Sequence, residues 1–196
     1  MDLVLASASP RRKELLKEIE KEFLILPAKG EESLLEKNPK RLVKALARQK
    51  AQEIACEVGE EKIVLGADTV VAFKRNILGK PKDEQDAVRM LKSLSGRTHF
   101  VYTGVCFVYS VKGRKKIKNK VVATKVVFNE LSDLEIERYV MSGSPMDKAG
   151  AYGIQDGGLV KAIVGSYSNV VGLPVELCKK LYLKIRKELE NDKTGD

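Results

Sequence analysis

The sequence predicts an α/β fold built on a mixed, partly antiparallel sheet flanked by helices, and three observations lead there. Apolar runs of strand length alternate with segments of helical spacing through the first half of the chain. Two long β-branched stretches then meet at Lys112-Gly113, a hairpin signal. A capped helix and a final amphipathic helix follow, and strands mixed with helices in this order define the class.

Residues 3–6 are a short apolar run followed by Ser-Ala-Ser-Pro and then by Leu15, Leu16 and Ile19 at helical spacing, which reads as strand, tight turn and helix. Ser9 suits the N-cap and Pro10 the first helical position. Residues 23–26 make a second strand, and Asn38-Pro39 starts a helix that runs to about residue 57. Residues 63–73 alternate too little for an exposed strand and read as a buried one that turns near Lys74-Arg75-Asn76. A helix over about residues 83–94 comes next, and residues 98–110 and 115–128 form the hairpin. Ser132 and Glu135 make a capping box for a helix reaching about Met141. The Gly-rich stretch 143–172 holds one short strand near residues 159–164, and Pro174 opens a last helix with Leu177, Leu181, Ile185 and Leu189 every four positions. No repeat or low-complexity linker divides residues 1–196, so one domain is expected.

The composition narrows the function classes. No apolar run reaches the ~18 residues that a membrane span needs, and the basic residues near the start come after the apolar stretch, the reverse of a secretory signal, so a soluble cytoplasmic protein is expected. Cys56, Cys106 and Cys178 are far apart, lack a C-x-x-C pair and are accompanied by a single histidine, which excludes a disulfide framework or a zinc site made from them. All three are expected to be buried thiols. The 36 Lys and Arg against 27 Asp and Glu give a formal charge of +9, which favours anionic partners. Much of the excess lies in residues 112–120 and the last helix, where solvated charge accounts for it. A single-strand-binding groove interleaves aromatics with its cations, and residues 112–120 contain none, so no stable nucleic-acid complex is expected.

Four places could carry chemistry. At Ser7-Ala8-Ser9-Pro10-Arg11-Arg12, free backbone N–H groups, two hydroxyls and two guanidiniums collect at a strand-to-helix turn, a donor set suited to an anion; an ordinary Ser-Pro cap with exposed arginines would use the same residues. Lys50 falls in the middle of the apolar stripe Val43, Leu46, Ala47 and Ile54, where a lysine must pair or snorkel, and where Met would pack as well. On that ground Lys50→Met should cost activity without costing stability. Asp68 interrupts an apolar strand as Gly66-Ala67-Asp68-Thr69, and a carboxylate there needs a metal, a cation or a catalytic duty, since unpaired burial costs several kcal/mol. Glu31 and Glu32 could add a carboxylate for a hard metal ion. Lys80 in Leu78-Gly79-Lys80-Pro81 and the aromatic and amide of residues 150–155 sit in turns. Neither glycine-rich loop fits a P-loop or dinucleotide fingerprint, and His99, within strand residues, reads as structural.

Taken in order, LASASPRRKELL, the EE pair, ARQKA, GADTVV, LGKP, SGRTHFVYTGV, DKAGAYGIQ and VVGLP resemble the Maf family, first named for an association with septum formation. The resemblance spans residues 3–177 and leaves the tail after about residue 189 outside it. It implies a mixed sheet with flanking helices and two lobes around a cleft, related to the inosine triphosphate pyrophosphatases and often dimeric. Position by position it makes Asp68 the catalytic acid/base and places Ser7, Arg12, Glu32, Lys50 and Lys80 around the phosphates and metal. Arg11 after Ser-Pro, Thr69 after the Asp and Gln155 closing GAYGIQ are similar to the branch acting on dTTP and UTP, and differ from the branch acting on 7-methyl-GTP.

The resemblance therefore implies a nucleoside triphosphate pyrophosphatase that releases monophosphate and pyrophosphate. A divalent cation, magnesium or manganese, would bridge phosphate oxygens and the carboxylates of Glu32 and Asp68, while Asp68 orients or deprotonates a water. Ser7, Arg12, Lys50 and Lys80 would hold the phosphates, with Arg11, Thr69 and Gln155 setting specificity. The expected partners are the nucleotide substrate and a second copy of the chain, with no membrane. The competing class is a basic protein that binds nucleic acid or a cell-division partner through its positive charge.

Overall fold

The computed structural model describes residues 2–30 and 36–193. In chain order the elements are β1 (Asp2–Leu5), α1 (Pro10–Leu16), β2 (Phe23–Ile25), α2 (Pro39–Val58), β3 (Lys62–Phe73), β4 (Asn76–Leu78), α3 (Glu84–Leu94), β5 (Thr98–Val111), β6 (Arg114–Phe128), α4 (Asp133–Met141), β7 (Val160–Val164), α5 (Tyr167–Val171) and α6 (Val175–Lys193). The strands pair in the order β2-β1-β3-β5-β6-β7, with β4 beside β3. β1 runs parallel to β2 and β3, whereas β3–β4 and β6–β7 are antiparallel, so the sheet is mixed as the sequence predicts. Lys112 and Gly113 both take positive φ (51° and 66°), as a two-residue hairpin turn requires.

Contacts divide the chain into two compact units, the first being Met1–Asp68, Thr103–Val122 and Gly172–Asp196. Its layering follows from strand alternation. Leu3, Leu5, Ile63, Leu65, Val105 and Phe107 pack on one face with Leu16 of α1 and Cys178, Leu181 and Ile185 of α6. The intervening Val4, Ala6, Val64, Cys106 and Val108 pack on the other with Ala47, Ala51 and Ile54 of α2. Both faces are covered, which is why residues 63–67 are apolar without alternating.

Two glycines bring α2 against this sheet. A Cβ on Gly66 of β3 would lie 2.3 Å from the Ala47 carbonyl oxygen, and one on Gly104 of β5 would lie 2.1 Å from that of Val43. Backbone therefore meets backbone there, the close approach that glycine inside a strand permits.

The second unit is Thr69–Tyr102 and Ala123–Val171. Val71, Val101, Val126 and Phe128 form a core with Leu91 and Leu94 of α3 and Ile136 and Val140 of α4. His99 belongs to that core. It bonds the Tyr152 hydroxyl at 2.7 Å and meets the Phe128 and Tyr152 rings edge-on, and burial lowers its pKa from the ordinary 6.5 to about 4, leaving a neutral structural imidazole.

The capping features hold where the sequence placed them. The Ser9 hydroxyl accepts from Arg12 N at 3.4 Å, the Asn38 side chain caps α2, and the Ser132–Glu135 box is complete. Three points differ from expectation. The chain re-enters the sheet as β4 after Lys74, and the Gly-rich stretch adds 3₁₀ turns and α5 to its one strand. Such three- to five-residue elements are too short to show a period. Cys56 is exposed while Cys106 and Cys178 are buried, because Cys56 lies two residues beyond Ile54 and so on the opposite side of α2. Burial pushes the Cys106 thiol up to about 12, so it is inert. Among the described residues no helix is long and apolar enough to cross a membrane.

Candidate active site

β1 and β3 run parallel, and the register pairs Leu5 with Leu65, with Ala6 N donating to Leu65 O at 2.8 Å. Ser7 and Asp68 both lie just beyond this pairing, on the carboxyl side where open α/β sheets bind ligands. Ser7 is buried, and its Oγ accepts from Ser9 N at 3.3 Å and from an Arg12 guanidinium nitrogen at 3.1 Å. Arg12 Nε donates in addition to the Gly172 carbonyl at 2.9 Å. The guanidinium is thus drawn back onto the turn, with a Ser hydroxyl at its tip. Arg11, next along α1, is half-buried.

Asp68 is 7% exposed and faces α2. Lys50 Nζ donates to its Oδ1 at 2.7 Å, with side-chain exposures of 16% and 9%. The apolar stripe around Lys50 is therefore interrupted to supply a cation to a buried carboxylate, and the close approach through Gly66 and Gly104 lets α2 deliver it.

That pairing changes the expected behaviour of Lys50→Met. Met fits the stripe, yet it removes the cation that Asp68 pairs with at 2.7 Å, so the substitution should cost stability as well as activity, by about 2 kcal/mol for the lost charged hydrogen bond. The double variant Lys50→Met/Asp68→Asn should recover most of the lost stability. Denaturant unfolding of the two single variants and the double variant checks this, and a single variant as stable as the parent would show the pair to be weak.

In the second unit, Thr69 follows Asp68 in β3 and is half-buried, while Lys80 and Gln155 are exposed. Their loops touch. Gly150 N donates to the Gly79 carbonyl at 2.9 Å, and Gly150 takes φ 71° where a Cβ would meet Val71 Cγ2 at 2.7 Å. LGKP, GAYGIQ and the end of β3 are thereby joined. Glu31 and Glu32 lie outside the described residues. Among the described residues no group of three or more His, Cys, Asp or Glu could hold a metal ion. The sequence reading missed the packing roles of Gly66 and Gly104. A glycine within an apolar strand, twice, was the available signal.

The mixed sheet flanked by helices is an α/β architecture shared with solved structures. The Staphylococcus aureus Ham1 protein has this fold, with TM-score 0.53 and 13% identity over 94% of this chain and 99% of that one. Residues 2–185 match the family profile described as Maf-like protein, and the chain belongs to that family. Its relatives include proteins named dTTP/UTP pyrophosphatase from Agathobacter rectalis, 51% identical over 94% of this chain and 96% of that one, and from Carboxydothermus hydrogenoformans, 48% identical over 95% and 98%.

Proposed function

We propose that the protein is a nucleoside triphosphate pyrophosphatase that hydrolyses dTTP and UTP to monophosphate and pyrophosphate. The observation that carries this is the buried Lys50–Asp68 pair in a chain 51% identical, over nearly its whole length, to a protein named for that activity. Asp68 takes the proton of the water that attacks the α-phosphorus, and Lys50 orients its carboxylate. Ser7, Arg12, Lys50 and Lys80 bind phosphate oxygens and stabilise the charge that develops on the leaving pyrophosphate. Asp68 and Glu32 are the carboxylates that would hold a magnesium or manganese ion. Such an ion, when bound, neutralises charge on the triphosphate. A cytoplasmic location and a homodimer belong to the same proposal.

A stable nucleic-acid complex does not. At the basic hairpin, Lys118 is engaged by Glu188 at 2.8 Å and Lys112 by Asp192 at 3.7 Å, which reduces the charge on offer to a phosphate backbone. Pyrophosphate release from dTTP, UTP, CTP and 7-methyl-GTP, with and without magnesium or manganese, tests the activity. Absence of release from both dTTP and UTP overturns it.

Base preference tests the specificity residues. Uracil and thymine present a carbonyl where cytosine presents an amino group, so Arg11, with donors only, favours the keto bases, while the Gln155 amide pairs with either by turning over unless its orientation is held. The expected kcat/KM for UTP exceeds that for CTP by about ten- to a hundredfold, and Gln155→Glu, which removes the amide donor, reduces the ratio. Equal rates on UTP and CTP in the parent, or an unchanged ratio in the variant, would dismiss Arg11, Thr69 and Gln155 as the selecting set.

A further inference from the structure

Gln155 stands at the tip of a turn in the second unit that is held by side chains with no assigned role. Residues Ile154–Asp156 form one 3₁₀ turn, closed by Asp156 N donating to Gly153 O at 3.2 Å. A single residue of α4, Tyr139, grips both ends of it. Its hydroxyl donates to Asp156 Oδ2 and accepts from Gly153 N at 2.9 Å. Ser144 Oγ donates to the same Asp156 oxygen at 2.8 Å, and Lys148 Nζ lies 3.9 Å from it while donating to Ser144 Oγ at 3.0 Å and Asp147 Oδ1 at 2.9 Å. The fit around the turn is tight, since a Cβ on Gly153 would lie 2.7 Å from both Asp156 Oδ2 and Lys148 Cε.

These bonds are not needed to close the turn, which has its own backbone bond. They fix where the turn sits relative to α4. The one residue between its anchored ends that presents an exposed hydrogen-bonding side chain is Gln155. A carboxyamide that must choose between a keto and an amino group discriminates only if its position is held to a fraction of an ångström, because a mobile one turns over and pairs with both. We infer that Tyr139 and Asp156 form a clamp that positions Gln155, and so act as specificity-positioning residues for base selection. The inference rests on Gln155 contacting the base, as proposed above.

Tyr139→Phe is the direct probe, since it keeps the ring in its half-buried site and removes both bonds at once. Gly153→Ala disturbs the clamp from the other side, with a backbone φ of −112° that accepts alanine. In the free protein, the Gly153 amide should exchange with solvent about tenfold faster in Tyr139→Phe, as expected for loss of one hydrogen bond in a locally opening turn. With nucleotide, either variant should lower the UTP over CTP preference by about five- to tenfold, through KM more than kcat. The effect should vanish in a Gln155→Ala background, because both changes act through one side chain.

Unchanged exchange at Gly153 overturns the clamp. Faster exchange with unchanged base preference, or an equal loss of preference when Gln155 is already Ala, overturns the positioning role and leaves the bonds structural. A parent inactive on both dTTP and UTP overturns the activity and this role together, and is told apart because it appears before any substitution is made.

Discussion

Replacing Asp68 by Asn is expected to lower turnover by at least about a hundredfold while the protein folds as before, since loss of a positioned general base costs about 10²–10⁴-fold. Asn keeps the volume of the side chain and an oxygen for Lys50, which donates to Oδ1 in the parent at 2.7 Å, so the cation next to it retains an acceptor. What disappears is the negative charge and the site that accepts a proton. A pyrophosphate-release assay at saturating dTTP, with a circular dichroism melt beside it, reads both quantities. Turnover within about tenfold of the parent would remove Asp68 from the chemistry. The Lys50 variants separate the two roles of the pair: stability lost with Lys50→Met returns on adding Asp68→Asn, whereas activity does not return.

A large effect on stability is expected from Gly104→Ala. Its new methyl would lie 2.1 Å from the Val43 carbonyl oxygen and 2.9 Å from Lys44 N, both backbone atoms of α2 that no rotamer change can move. Relief requires α2 to lift from the sheet, which opens the packing of Ala47, Ala51 and Ile54 against Val64 and Cys106. A cost of about 3 kcal/mol and a fall in Tm on the order of 10 °C are expected. Gly66→Ala should act in the same way, with the Ala47 carbonyl at 2.3 Å. Gly79→Ala, whose Cβ would meet nothing within 4 Å, serves as the control and should leave Tm within about 2 °C of the parent. Because α2 carries Lys50, the lifted helix also draws that ammonium from Asp68, and Gly104→Ala should lose activity at temperatures where it remains folded. A variant as stable as the parent would mean that α2 approaches the sheet less closely than described.

Much of this arrangement is legible in the chain. Periodicity and caps define the longer helices, and Asp68 and Lys50 stand out because each breaks an apolar pattern that would otherwise continue. Their partnership is not legible, since residues 50 and 68 belong to different elements and only the packing of α2 on β3 makes them neighbours. The same holds for Tyr139 and Asp156, two ordinary polar residues whose bond depends on how a glycine-rich loop folds back on α4. β4 escaped because three residues carry no period, and Cys56 was misplaced because its exposure depends on the face of α2 it occupies rather than on its residue type. Glu32 lies outside the described residues, and its role rests on family resemblance.

The bond from Arg12 to the Gly172 carbonyl joins residues 160 positions apart. During synthesis the first helix leaves the ribosome long before residue 172 exists. The segment that carries residue 172 is fixed by Leu173 and by α6, whose Cys178, Leu181 and Ile185 complete the core around Leu3, Leu5 and Leu16. A nascent chain therefore holds the side chain of Arg12 without the Gly172 carbonyl until synthesis has passed residue 172. Nucleotide-splitting capacity should appear abruptly once residue 172 and α6 have emerged rather than grow with chain length, and a ribosome stalled before α6 would display an inert precursor.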